Sequence, residues 1–254
     1  MTAHSTIEQL LQHRSIRRFS GQPIAPELLE RIIASGQAAS TSSFSQSTSV
    51  IRVTDRALRS QLNEWSGNQP YIQSAAEFLV FCADLHRAHE VIRRSGADEA
   101  ALEEAFGWSE QLLTAVIDAS LFAQNCAVAA ESEGLGICYI GGIRNDIERV
   151  SEALALPDLV VPLFGLCIGY PDQAPILRPR LPMSSVLFEN HYQLDESDRW
   201  HDLKAYDAHV LAYYRARTGG KVEQTWSEQI IKQSSRQTRP HIQAFLKAKG
   251  MALK

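Results

Sequence analysis

Residues 109–134 read SEQLLTAVIDASLFAQNCAVAAESEG, the longest helical pattern in the 254-residue chain. Leu112, Leu113, Val116, Ile117, Ser120, Leu121, Asn125, Val128 and Ala129 trace a broad apolar or small-residue face, and Gly134 supplies the stop. A helix this apolar belongs at the centre of a fold. On its C-terminal side, Ile137–Ile140 is a short strand running into Gly141-Gly142, and Val160–Ile168 is a buried strand. On its N-terminal side, Ser49–Thr54 and Phe78–Cys82 carry the β-branched and aromatic residues of strands. Helices fill the intervals: one at Ile7–Leu11, one opened by Pro26 with Leu28, Leu29, Ile32 and Ile33 on a stripe, one with Leu58 and Leu62, and one across Arg144–Leu154. Few strands among many helices predict an α+β fold built on a modest sheet. The charged, Ala-rich stretch Arg87–Gly107 reads as a helical surface excursion, and Pro171–Pro182 as an extended loop. Three further helices are expected at Leu203–Arg217, Trp226–Lys232 and Pro240–Lys249.

Lys plus Arg number 25 against 29 Asp plus Glu, a formal net charge of -4, which disfavours a free-standing nucleic-acid binder. The apolar runs Phe78–Cys82 and Val160–Ile168 fall short of the ~20 residues of a spanning helix, so no membrane partner is expected. The N-terminus MTAHSTIEQLLQHRSIRRF lacks the apolar core of a secretory signal. Cys82, Cys126, Cys138 and Cys167 are isolated in apolar surroundings, as structural thiols of a reducing cytosol would be.

Common chemical motifs fail. Gly134-Leu-Gly136 starts like a dinucleotide fingerprint, but Tyr139 stands where the third glycine belongs, and the run follows a helix. His89-Glu90 resembles the start of a zincin helix, yet Arg93 replaces the second histidine, so no metal site is expected. Neither a phosphate-binding P-loop nor a nucleophile elbow is present.

The informative clusters are basic. His13-Arg14-Ser15-Ile16-Arg17-Arg18 breaks a helix, and Arg178-Pro179-Arg180 lies in a rigid loop. Both suit a phosphate, because guanidinium forks bind its oxygens bidentately and Ser15 adds a hydroxyl; as plain sequence both also suit solvated surface charge. Tyr139-Ile140-Gly141-Gly142 would let backbone approach a flat ligand, or simply turn a strand into a helix. Hydroxyls at Thr41, Ser42 and Ser43 could face a ligand or cap a strand.

Together with Gly67-Asn-Gln69, Ala123-Gln-Asn125, Gly134-Leu-Gly136, Tyr139–Asn145, Leu163–Leu166, Arg178–Pro182 and Thr225-Trp226, the segment His13–Phe19 resembles the oxygen-insensitive NADPH nitroreductases. The likeness is to the nitroreductase A and NADPH-flavin oxidoreductase group, in order from Ile7 almost to the C-terminus. It implies a single FMN-dependent domain over residues 1–254, with 191–254 a helical extension at the nicotinamide entrance. It also implies a nitroreductase-like α+β fold, with a mixed sheet flanked by helices in an intertwined cytoplasmic homodimer. By the same resemblance, Arg14, Ser15, Arg178 and Arg180 would hold the FMN phosphate, with His13, Ile16 and Pro179 lining the pocket. Arg17 would sit at the pyrimidine edge of the ring, where the reduced flavin carries negative charge. Gln69 and the Tyr139–Gly142 backbone would face the same ring, and Thr41–Ser43 would come from the partner subunit. Arg217, Lys221 and Arg239 would contact NADPH.

The activity so implied is two-electron, ping-pong transfer from NADPH to nitroaromatics, quinones or similar small molecules, with no side chain acting as acid or base. Release of reduced FMN to a monooxygenase is the alternative within the class. A non-catalytic flavin- or phosphate-binding protein, or a helical interaction protein, stands outside it. Three positions depart from the family pattern: Arg178 replaces a lysine, Val222 replaces a tail arginine, and the segment His86–Gly107 is longer.

Overall fold

The computed structural model describes residues 5–192, 196–235, 238–252 and 254. The chain forms two compact units, residues 1–174 with 239–254, and residues 175–238. In chain order the first unit contains α1 (Thr6–Leu11), α2 (Pro26–Gln37), β1 (Thr48–Arg52), α3 (Arg56–Trp65), the single turn α4 (Tyr71–Ser74) and β2 (Glu77–Asp84). There follow α5 (His86–Arg94), α6 (Glu99–Phe106), α7 (Ser109–Ser132), β3 (Gly136–Ile140), α8 (Ile147–Ala153) and β4 (Val160–Gly169). The second unit holds α9 (Glu196–Thr218) and α10 (Trp226–Ser234); α11 (Ile242–Ala248) returns to the first. The extension expected from residue 191 is thus bounded differently: the second unit begins at Pro175, and the last stretch of chain rejoins the core because Phe245 and Met251 are buried there.

The sheet runs β1-β2-β4-β3, and every neighbouring pair of these strands is antiparallel. Among the described residues, the parallel component of the expected mixed sheet is one bridge, Ser15 to Ile137. Alternation along β2 separates two cores. Phe78, Val80 and Cys82 face α3, α4 and α8 through Leu62, Ile72 and Val150, whereas Leu79 and Phe81 face α2 and α7 through Leu29, Ile32 and Ala123. A bulge leaves Leu163 without a partner opposite the Phe81–Cys82 step, and its freed carbonyl accepts from Arg144 Nη1.

The central helix buries a different face from the one its large residues predict. Ala115, Asp118, Ala119, Ala123, Cys126, Ala127 and Ala130 are the buried positions of α7, while Leu113, Ile117 and Leu121 are 56%, 53% and 44% exposed. Small side chains allow close packing on the sheet and α2: a Cβ at Gly36 would lie 2.2 Å from the Phe122 ring. By length and composition α7 could cross a bilayer, but here its alanine face packs on protein. The excursion expected over 87–107 is likewise partly core, since Leu102 and Phe106 of α6 are buried against Ala115 and Ala119. Only α5 matches a surface role, with no buried residue among those described.

Candidate functional site

The helix-breaking arginine segment is laid along the edge of the sheet and pinned at both ends. Ile16 N donates to Ile137 O at 2.8 Å, and Ser20 N donates to Tyr170 O at 3.0 Å. Close approach at the first pin needs Gly136, where a Cβ would lie 2.4 Å from Ile16 Cγ1. Ile16 is buried beneath, so its flanking residues Ser15 and Arg17 are carried on a fixed backbone. His13 Nδ1 lies 2.6 Å from Glu131 Oε1 at the end of α7; a carboxylate only accepts, so that ring nitrogen carries the proton. Arg14 donates to Gln12 Oε1 at 2.9 Å, but its Nε is buried without any partner among the described residues.

The loop after α3 meets this segment. Gln69 Nε2 donates to Ser66 O at 2.9 Å, while Gln69 Oε1 accepts from the Tyr71 hydroxyl. The Arg17 cation stands near the same hydroxyl. Burial pushes the Tyr71 phenol up, and the Arg17 cation opposes that shift. Gly142 closes the group from the end of β3: a Cβ there would stand 2.2 Å from Ser66 O and 2.7 Å from Gln69 Nε2. Gly141 and Gly142 open a 3-10 turn that runs to Asp146, so the expected helix over 144–154 is 3-10 first and α-helical only from Ile147. Ile140 is buried, whereas Tyr139 is exposed and sets its ring edge-on to Phe164 at 5.4 Å. Arg239 Nε donates to Asn145 Oδ1 at 3.0 Å on this turn. Burial pushes the neighbouring Arg144 guanidinium down, and Arg239 adds to the effect.

Thr41, Ser42 and Ser43 are not part of this group. Ser42 N donates to Asp118 Oδ1 at 3.0 Å and Ser45 Oγ to Asp118 Oδ2 at 3.2 Å, with Asp118 only 1% exposed. Asp118 and Glu131, the residue that holds His13, are thirteen positions apart on α7. That spacing corresponds to about 20 Å of helix.

In the second unit, Arg178 Nη2 donates to Tyr214 Oη at 2.9 Å and Gln229 Oε1 at 3.2 Å, with its guanidinium carbon 5.7 Å from the Tyr214 ring centroid. The Pro179 carbonyl accepts from Tyr206 Oη at 3.2 Å, and Arg180 is exposed. Arg217, near the end of α9, donates to Tyr213 Oη at 3.3 Å, and Lys221 is exposed beyond Gly219 and Gly220. Arg215 is engaged with Glu223 at 2.9 Å.

Sequence reasoning missed Asp118, Tyr71 and Glu131. Asp118 carried a usable signal, a lone carboxylate inside the apolar run Val116-Ile-Asp-Ala119. Tyr71 and Glu131 carried none, because their importance is purely one of position.

A profile described as the nitroreductase family matches residues 10–170, and one described as the nitroreductase family, C-terminal domain, matches residues 178–254. A Bacillus subtilis protein named FMN reductase (NADPH) is 44% identical over 247 residues, covering 97% of this chain and 98% of that one. The oxygen-insensitive NADPH nitroreductase of Salmonella typhimurium is 46% identical over 248 residues, covering 97% and 98%. Among solved structures, the NfrA1 nitroreductase of Bacillus subtilis superposes with a TM-score of 0.94 at 43% identity, covering 98% of this chain and all of its own.

Proposed function

Because this chain belongs to the nitroreductase family, we propose that it is an FMN-dependent reductase that oxidises NADPH and reduces flat electrophiles such as nitroaromatics and quinones. The observation that supports this is the β3 edge, where Ser15, flanked by Arg14 and Arg17 in sequence, bridges Ile137, and Gln69 lies against Gly142 beyond the strand's end. Its chemistry fits the cofactor. Arg14 Nε is a buried donor with no acceptor among the described residues, which a phosphate would supply. Gly142 has no room for a side chain, so only backbone meets a ring laid against it.

In this assignment Arg14 and Ser15 hold the phosphate, and His13 and Ile16 line its surroundings. Arg17 and Gln69 present a cation and an N–H to the pyrimidine edge, and Tyr139, Ile140, Gly141 and Gly142 form the wall of the ring. FMN, when bound, supplies the two-electron carrier between NADPH and acceptor. The protein's own contribution is to orient both substrates in turn against one site, the basis of ping-pong kinetics, and to hold positive charge where negative charge develops. Arg217 and Lys221 are assigned to NADPH, and solvent supplies the protons.

The position of Thr41–Ser43 and the exposed apolar face of α7 together favour a homodimer. Leu113, Ile117 and Leu121, with Ile7 and Leu11 of α1, are large apolar residues that a second copy would cover. The loop held by Asp118 would then reach the flavin of the other subunit. Four buried free cysteines fit a reducing compartment, the cytosol. The name FMN reductase among the relatives favours free FMN as an alternative acceptor.

The test is an absorption spectrum of the protein loaded with FMN, taken anaerobically before and after NADPH. Flavin bands that bleach, and return on adding a nitroaromatic or quinone, are expected. Failure to retain FMN, or bleaching no faster than in free solution, would overturn the proposal. Turnover on added FMN against a nitroaromatic separates the two acceptors.

A further inference from the structure

The donor arrangement that faces the proposed flavin edge depends on a residue outside the sequence-level site. Tyr71 opens the turn α4, preceded by Pro70 with its restricted φ of -59° and followed by fully buried Ile72. Its ring packs on the core beneath β2, so the phenol is delivered to the Arg17–Gln69 group on a rigid support. A carbonyl oxygen can only accept, so the Tyr71 hydroxyl donates its one proton to Gln69 Oε1. The Gln69 amide then has its carbonyl turned to Tyr71 and one N–H turned to Ser66 O, leaving its other N–H without a partner among the described residues. The bonds run in one direction, from Tyr71 through Gln69 to Ser66.

We infer that Tyr71 is a positioning residue: its hydroxyl, bonded to Gln69 Oε1, turns the amide of Gln69 so that it offers a donor-only edge to the acceptor-rich side of the flavin. This rests on the proposed FMN site and assigns the control of its electronics. A donor-only edge gains most when the ring carries negative charge, so Tyr71 acts more on the reduced than on the oxidised cofactor.

The test is Tyr71→Phe, which keeps the ring and removes one oxygen. FMN affinity is titrated by flavin fluorescence, the midpoint potential of the bound flavin is measured, and folding is checked by urea unfolding. Oxidised FMN is expected to bind about 3- to 10-fold more weakly. Reduced FMN should lose about a further tenfold, lowering the potential by about 30 mV for a two-electron couple. In a Gln69→Met background, the same change should move the potential by less than half as much, because its acceptor is gone. An unchanged potential overturns the inference, whether affinity is retained or both redox forms lose it equally. Full additivity with Gln69→Met overturns it too. Wild-type protein that binds no FMN would instead remove the underlying proposal, a result visible before any variant is made.

Discussion

Gly142→Ala is the sharpest perturbation of the site, because its consequence follows from three distances. The new Cβ would lie 2.2 Å from Ser66 O, 3.0 Å from Ser66 C and 2.7 Å from Gln69 Nε2. Carbon and oxygen normally approach no closer than about 3.4 Å, so the Ser66 carbonyl must retreat by roughly 1 Å. It has little freedom to do so, since Ser66 is 2% exposed and its N–H is bonded to Leu62 O at 2.9 Å at the end of α3. Overpacking of this kind costs about 1–3 kcal/mol, and the displaced Gln69–Ser66 hydrogen bond adds about 1 kcal/mol. A loss of about 2–4 kcal/mol in unfolding free energy is expected from urea titration of the apoprotein. Release of the Gln69 amide should also weaken FMN by about 5- to 30-fold, equivalent to about 1–2 kcal/mol. Gly141→Ala is the stability control: its Cβ would meet only Arg144 Nη2, at an ordinary 3.5 Å, so unfolding should change by less than about 0.5 kcal/mol. Equal effects of the two substitutions on unfolding, or wild-type FMN affinity in Gly142→Ala, would refute the claim that close packing of residue 142 holds Gln69.

Gly136→Ala should drive Ile16 off the β3 edge, because its Cβ would stand 2.4 and 2.7 Å from Ile16 Cγ1 and Cβ. About 2–3 kcal/mol of stability and most FMN retention should be lost together, checked by urea unfolding and by cofactor content after gel filtration. Arg217→Ala should raise the NADPH KM by roughly 10- to 100-fold, from a phosphate contact of about 1.5–3 kcal/mol, with little change for NADH. Equal effects on both nucleotides in steady-state assays would point to a structural role for that arginine. Burial pushes the Cys82 and Cys126 thiols from the ordinary 9.0 up to about 12, and pushes Cys138 and Cys167 up as well. The folded chain therefore keeps protons that the unfolded chain releases, so this contribution is fully present below about pH 9 and is lost as pH rises toward 12. Unfolding free energy should fall from about pH 9 upward, by at most ~1.4 kcal/mol per pH unit for each thiol. A disulfide reagent at neutral pH should meanwhile find no thiol until denaturant is added.

Local rules made much of the architecture legible. Pro26 at the head of α2, the β-favouring run Phe78–Cys82 and the glycine after α7 each act within a few residues, where backbone sterics and hydrophobic period decide the outcome. Rules of that range could not choose which face of α7 is buried. Nine apolar or small positions marked one face, but the sheet and α2 accept only thin side chains, so the alanines went inward and leucines and isoleucine stayed outside. The same gap misplaced Leu102 and Phe106, whose burial depends on what the α7 alanines leave open.

For the site, the residue types in His13–Arg17 and Tyr139–Gly142 were compatible with an anion and a flat ligand, and as plain sequence also with solvated charge and a strand-to-helix turn; their ordered resemblance to one family made the choice. The sequence by itself therefore determined the chemistry of the groups and, through their order along the chain, the family. Only the tertiary structure decided their company. Ile16 is seated on Gly136, Gln69 is held between Tyr71 and Ser66, and Thr41–Ser43 is drawn to Asp118, well along α7 from His13. Each pairing spans loops whose closure is set by packing of the whole core, and a contact created that way leaves no spacing in the chain to be read.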